Sequence, residues 1–128
     1  MIIKAILNND ILKRIEANQI QQLVNKMIPI NFKQDTYIIK ENDIGDCLYV
    51  IEDGMVNIYK ENKLITPEPL APGTLFGELA LLYNCRRTAT VVAITDMKLW
   101  YLQRKDFQMI MKMNIKKIRA NIFKFLKL

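Results

Sequence analysis

The sequence predicts an α+β fold: a jelly-roll-like β-roll of about eight strands, flanked by helices at both ends. Three observations predict it. Residues 1–29 and 105–128 carry helical periodicity, residues 30–104 break into short β-rich runs, and turn signals recur between those runs. Many short strands at regular spacing argue for a sandwich or roll rather than βαβ units. With 128 residues, 51% of them hydrophobic and 25% charged, the chain is a single domain able to bury a core without disulfide staples.

Each element follows from its local pattern. In "NQIQQLVNKM", Asn18 stands at an N-cap position with Gln21 three residues on, the spacing of a capping box. Ile20, Leu23, Val24 and Met27 then recur along one helical face, and Pro29 ends the pattern. The runs "TYIIK", "CLYVIE", "MVNIYK", "KLIT", "TATVVAIT" and "KLWYL" read as strands, parted by "ENDIGD", "EDG", "KEN", "PEP" and "APG". All four glycines, Gly45, Gly54, Gly73 and Gly77, lie in or beside turns. Helix returns at "DFQMIMKM", with Asp106 as its start and Phe107, Ile110 and Met111 on one face. Ile115, Ile118, Ile122 and Phe125 or Leu126 extend an apolar stripe, with Lys116, Lys117, Arg119, Lys124 and Lys127 mostly away from it.

Composition excludes several chemistries. The net charge of +6 is concentrated late: from Asp96 onward nine Lys/Arg face only Asp96 and Asp106. That basic C-terminal face lacks aromatic interleaving for base stacking, so it reads as solvated rather than as a nucleic-acid surface. The 2 cysteines, Cys47 and Cys85, show no metal or redox spacing and suggest a reduced protein without disulfides. No apolar run reaches the roughly 18 residues of a membrane span, and "MIIKAILNND" lacks the parts of a signal peptide. The chain has 0 histidines, which removes histidine-based nucleophilic catalysis, imidazole zinc sites and cupin-type enzymes. No nucleotide-enzyme glycine motif is present. The chain is therefore expected to bind, not to catalyse, and to need no cofactor or metal.

The stretch "GTLFGELALLYNCRRTATVV" sets one carboxylate, Glu78, and two arginines, Arg86 and Arg87, in an apolar run. Lone charges in apolar surroundings are costly unless paired. Gly77 allows close backbone approach, and "ELALLY" can form a short helix whose first N–H groups are unpaired. Glu78 can accept from sugar hydroxyls, and the fork of Arg87 suits two phosphate oxygens. Two readings stand: an internal Glu78–Arg87 ion pair at a turn, or a ligand carrying one phosphate and one ribose hydroxyl.

"FGELALLYNCRRTATV" resembles the phosphate-binding cassette of cyclic-nucleotide-binding domains, F-G-E-L-A-L followed by R-[AT]-A, here residues 76–91. With "AILNND", "YIIKENDIGDCLYVIEDG", "LWYLQRKDFQMIM" and "FLK", the chain is similar over essentially its whole length to the first nucleotide-binding domain of cyclic GMP-dependent protein kinases. The resemblance implies a cyclic-nucleotide-binding β-roll. Phe76, Gly77, Glu78, Leu79, Ala80, Arg87, Thr88 and Ala89 would bind the ligand. Gly77 and Glu78 would hold the ribose 2′-hydroxyl, Leu79 and Ala80 would offer N–H groups near the phosphate, Arg87 would pair with it, and Ala89 would add a backbone contact. Thr88, after the arginine, is what cyclic GMP readers tend to carry, so cyclic GMP is the expected ligand and cyclic AMP a weaker one.

Arg86 then falls outside the motif and is expected to be solvated. Strongly selective relatives carry a basic base-reader before the cassette, where this sequence offers Glu68 as a possible base contact. Ile122, Phe123 and Phe125 are candidate lid residues, and residues 105–128 the expected moving part. The resemblance further implies a cytoplasmic regulatory module, monomeric by itself, that relieves inhibition of a serine/threonine kinase domain. That kinase domain and a second nucleotide-binding domain would lie elsewhere in a longer chain. Regulatory domains of cyclic-nucleotide-gated channels or of transcription regulators are the alternatives.

Overall fold

The computed structural model describes residues 1–9, 12–83 and 85–111 of the chain. Helix α1 (Ile2–Asn8), a 3-10 turn (Leu12–Arg14) and α2 (Ala17–Asn25) lead into the strands. These are β1 (Ile28–Phe32), β2 (Tyr37–Ile39), β3 (Cys47–Asp53), β4 (Val56–Lys60), β5 (Lys63–Leu64), β6 (Leu75–Phe76), β7 (Thr90–Ala93) and β8 (Met97–Gln103). The short helix α3 (Leu79–Leu82) sits between β6 and β7, and α4 (Arg104–Met111) follows β8. None of the described helices is long and apolar enough to cross a membrane.

The strands form two four-stranded antiparallel sheets, ordered β1-β8-β3-β6 and β2-β7-β4-β5. Alternation along β3 and β8 explains why both are apolar on two faces. Leu48, Val50 and Leu102 point to the helices and join Ala5, Ile6, Leu12, Ile20, Leu23, Leu81, Leu82, Phe107 and Met111 in one core. Ile51, Met97 and Leu99 point the other way and meet Ile39, Val56, Phe76, Val91 and Ala93 between the sheets. The helix α3 thus shares a core with the helices at both ends of the described chain. The β4–β5 hairpin turns at Glu61 and Asn62, both with positive φ (52 and 64), as its two-residue turn requires.

Element types match the sequence reading for the runs it names, β1 and β6 are strands it did not name, and boundaries move. Helix α2 begins at Ala17 with Glu16 at its N-cap and no side-chain cap bond, so the expected capping box at Asn18 does not form. The amphipathic face, with Ile20 and Leu23 buried, settles the start instead. Strand β1 begins at Ile28, so Pro29 lies inside a strand rather than before it; β1 is an end strand of its sheet, where a missing N–H is tolerated. Helix α4 starts at Arg104, which puts Asp106 in the first turn instead of at the cap. The expected stripe from Ile115 to Leu126, including Ile122, Phe123 and Phe125, lies outside the described residues.

Candidate functional site

A cavity of about 460 Å³ opens between the second sheet and the segment from β6 to β7. Its apolar side is formed by Ile39, Ile58, Ile65, Leu70, Leu75 and Val91. Its polar side is formed by Gly77, Glu78, Arg86, Arg87 and Thr88, with Thr74, Phe76, Leu79, Ala80, Cys85 and Ala89 completing the lining. One short segment supplies that side because β6 delivers Gly77 and Glu78, α3 turns the chain back, and Arg87 precedes β7. All eight ligand-binding residues expected from the sequence line this one cavity. Glu68 is exposed and is not among the lining residues.

The geometry explains how an arginine is held here. The Arg87 guanidinium is half-buried; Nη2 donates to the Cys47 carbonyl at 2.8 Å and Nη1 to the Gly77 carbonyl at 3.2 Å. Two glycines leave it room. A Cβ on Gly45 would stand 2.6 Å from its Nε, and one on Gly77 2.8 Å from its Nη1. Gly77 also has φ +83, a conformation L side chains rarely adopt. The backbone of Arg87 is fixed as well: its N–H donates to Asp43 O at 2.7 Å, and its carbonyl accepts from Asn42 N at 2.8 Å.

Glu78 caps α3 without using its side chain. Its Oε1 accepts instead from Asn9 Nδ2 at 3.3 Å. Among the described residues no ion pair joins Glu78 to Arg87, so the internal-ion-pair alternative is not what the fold builds. The cation is oriented by neutral carbonyls and keeps its charge toward the cavity. At the start of α3, the Leu79 N–H takes no acceptor among the described residues, whereas that of Ala80 turns back on Gly77 O at 3.3 Å. Arg86 is exposed as expected, yet its Nη1 also donates to the Asn42 carbonyl at 2.8 Å and steadies the turn before β3.

Burial shapes two neighbours of the arginine. It pushes the Cys47 thiol above its ordinary value, against the pull of the Tyr49 hydrogen bond and of Arg87, and so keeps the thiol neutral. It also pushes the Tyr49 phenol well up, helped by Cys47. Tyr49 stacks on Phe76 with ring centroids 5.4 Å apart, which braces the strand entering the cavity.

Sequence patterns missed three groups. Asn9 and Arg104 reach the site through long-range side-chain contacts, and Gly45 through close approach to Arg87, none of which local patterns show. Arg104 opens α4 and grips α3: Nε donates to Ala80 O at 2.6 Å, and Nη2 to the Gly45 and Tyr83 carbonyls. The only sequence signal was an arginine directly after an apolar strand.

A mostly apolar cavity of this size, ending in an oriented cation, a carboxylate and glycine-lined backbone, defines a receptor for a small organic anion that carries a hydroxyl. The chain belongs to the cyclic nucleotide-binding domain family, whose model matches residues 29–114. It is 45% identical over 107 residues to the cGMP-dependent protein kinase, isozyme 2, of Drosophila melanogaster, a match covering 84% of this chain and 10% of the kinase. It is 42% identical over 112 residues to the cGMP-dependent protein kinase 2 of Homo sapiens, covering 88% of this chain and 14% of that one. In three dimensions it resembles the regulatory domain of Toxoplasma gondii PKA solved with cAMP, at TM-score 0.77 and 30% identity, over 98% of this chain and 49% of that one. The sequence thus spans a small part of the length of its curated relatives.

Proposed function

We propose that the chain binds a 3′,5′-cyclic nucleotide, cyclic GMP in preference to cyclic AMP, as the regulatory module of a serine/threonine protein kinase. The observation that carries this reading is the Arg87 guanidinium: half-buried, flanked by two glycines, held by neutral carbonyls and facing a cavity. Only two of its five N–H donors serve those carbonyls, which leaves others for a phosphate. Glu78 then accepts the ribose 2′-hydroxyl beside Gly77, the Leu79 N–H and neighbouring backbone at Ala80 and Ala89 approach the phosphate, and the apolar wall packs on the base. Thr88, exposed at the rim, offers its hydroxyl to phosphate and guanine amine.

The preference for cyclic GMP rests on Thr88 and on the similarity to cyclic GMP-dependent kinases. The cyclic AMP reading has its own support, because apart from Thr74 and Thr88 the wall that would meet the base is apolar. The kinase domain, the second nucleotide-binding domain, the cytoplasmic location and the monomeric state of this module belong to the same proposal. In it, binding shifts α4 and the chain beyond it and relieves kinase inhibition. Calorimetric titration with cyclic GMP and cyclic AMP in one buffer tests the reading. Tighter cyclic GMP binding supports it. Equal affinities leave a cyclic-nucleotide module without guanine preference, and no binding of either nucleotide overturns it.

A further inference from the structure

Asn9 is fixed on three sides before its amide nitrogen is considered. Its main-chain N–H donates to Ile6 O at 3.1 Å, closing α1, and its carbonyl accepts from Lys13 N at 2.9 Å. Its Oδ1 accepts from Leu12 N at 3.0 Å and so caps the 3-10 turn. A side chain held this way has one orientation, and that orientation directs Nδ2 to Glu78 Oε1, 69 positions along the chain. Glu78 itself spends no side-chain bond on capping α3.

We propose that Asn9 is a positioning residue for the sugar: it orders the Glu78 carboxylate at the cavity, so the N-terminal helices set the strength of the 2′-hydroxyl contact. This rests on the reading of Glu78 as the ribose acceptor. A glutamate side chain has several rotatable bonds, and a hydrogen bond that already restrains it lowers the ordering cost when a ligand arrives. Asparagine suits the place because one end accepts and the other donates. Aspartate would cap the turn equally well but set a like charge against Glu78. Serine would cap the turn but is too short to reach Glu78.

The test compares cyclic GMP with 2′-deoxy cyclic GMP on the wild type, Asn9→Asp and Asn9→Ser, by calorimetry, with unliganded melting temperatures alongside. A hydrogen bond to a charged acceptor makes the wild type favour the 2′-hydroxyl by about tenfold or more. The expected result is that this ratio falls to roughly threefold or less in both variants, while affinity for the 2′-deoxy analogue and the melting temperature stay near wild type. A purely structural role would weaken both ligands together and leave the ratio intact, which overturns the proposal. Serine carries the test if the aspartate variant fails to fold. Should the wild type itself not distinguish the two ligands, Glu78 is not the ribose acceptor and both readings fall. If the wild type distinguishes them and the variants keep the same ratio, only the role of Asn9 falls.

Discussion

Gly45→Ala isolates the seat of the Arg87 guanidinium. Gly45 lacks the positive φ of the other three glycines, so alanine adds no backbone strain there and acts through contact alone. The new Cβ would lie 2.6 Å from Arg87 Nε, 2.8 Å from its Cζ and 2.9 Å from the Ala80 Cβ. Packed non-bonded heavy atoms prefer about 3.5–4.0 Å, so the guanidinium must withdraw by roughly 1 Å. The bonds it makes to Cys47 O at 2.8 Å and Gly77 O at 3.2 Å have little slack for that. Losing the alignment of one charge-assisted bond is worth about 1.5–3 kcal/mol, which is roughly a tenfold to hundredfold loss in nucleotide affinity. Calorimetry reads the affinity, and a thermal melt confirms that the variant is folded. Gly73→Ala is the control: a Cβ there meets nothing within 4 Å, but φ is +90. It should cost about 1–2 kcal/mol of stability through the strained backbone and leave affinity unchanged. A folded Gly45→Ala protein that binds within about twofold of wild type would refute the claim that this glycine seats the arginine.

Other consequences follow from the same geometry. Arg87→Gln should weaken binding of either cyclic nucleotide by about 2–5 kcal/mol while the domain still melts cooperatively, measured by competition titration. Thr88→Ala should reduce cyclic GMP affinity by about twofold to twelvefold and barely change that for cyclic AMP, since one net hydrogen bond is at stake. Cys47 and Tyr49 give stability a definite pH sign. Both are neutral when protonated, and burial raises both above their ordinary values of 9.0 and 10.0. The folded chain therefore keeps protons that the unfolded chain releases, so stability is full below pH 9.0 and falls as pH rises past it. Urea unfolding from about pH 7 to about pH 11 should show that fall, and Cys47→Ala should move its onset up toward the range of Tyr49.

What the sequence reveals and what it conceals divide along physical lines. Alternation and turn residues announced β2, β3, β4, β7 and β8, because each carries β-branched or aromatic residues between marked turns, whereas β5, Lys63–Leu64, was marked only by the turn before it. Strand β1 was half hidden by Pro29, and β6, Leu75–Phe76, is too short to carry a period. The residues Phe76–Ala80 and Arg87–Ala89 were legible because they sit within one contiguous cassette and line one cavity. Asn9, the carbonyl of Cys47 and Arg104 were not. Each acts through a main-chain or long-range contact, and neither leaves a periodicity or spacing for a linear reading to find. Glu68, expected as a possible base contact, is exposed and is not among the residues lining the cavity. It lies where a base reader would be counted, but Pro67 and Pro69 flank it in an exposed segment that strand β5 has already left.

The choice of partners around Arg87 bears on what the site can do. A carboxylate would hold the guanidinium more strongly than a carbonyl, but it would also cancel the charge and compete with an incoming phosphate. Carbonyls orient the fork while leaving its charge uncompensated. Among the described residues the only acidic one lining the cavity is Glu78, and it is engaged with Asn9 rather than with Arg87. In the proposed reading, keeping the two charged groups apart preserves a cation for the phosphate and an acceptor for the sugar. Arg104 extends the logic to the helices. By binding the Ala80, Tyr83 and Gly45 carbonyls, it joins α3 and the glycine beside Arg87 to the first residue of α4. In the proposed reading, a ligand that pulls on Arg87 is thereby linked through these contacts to α4.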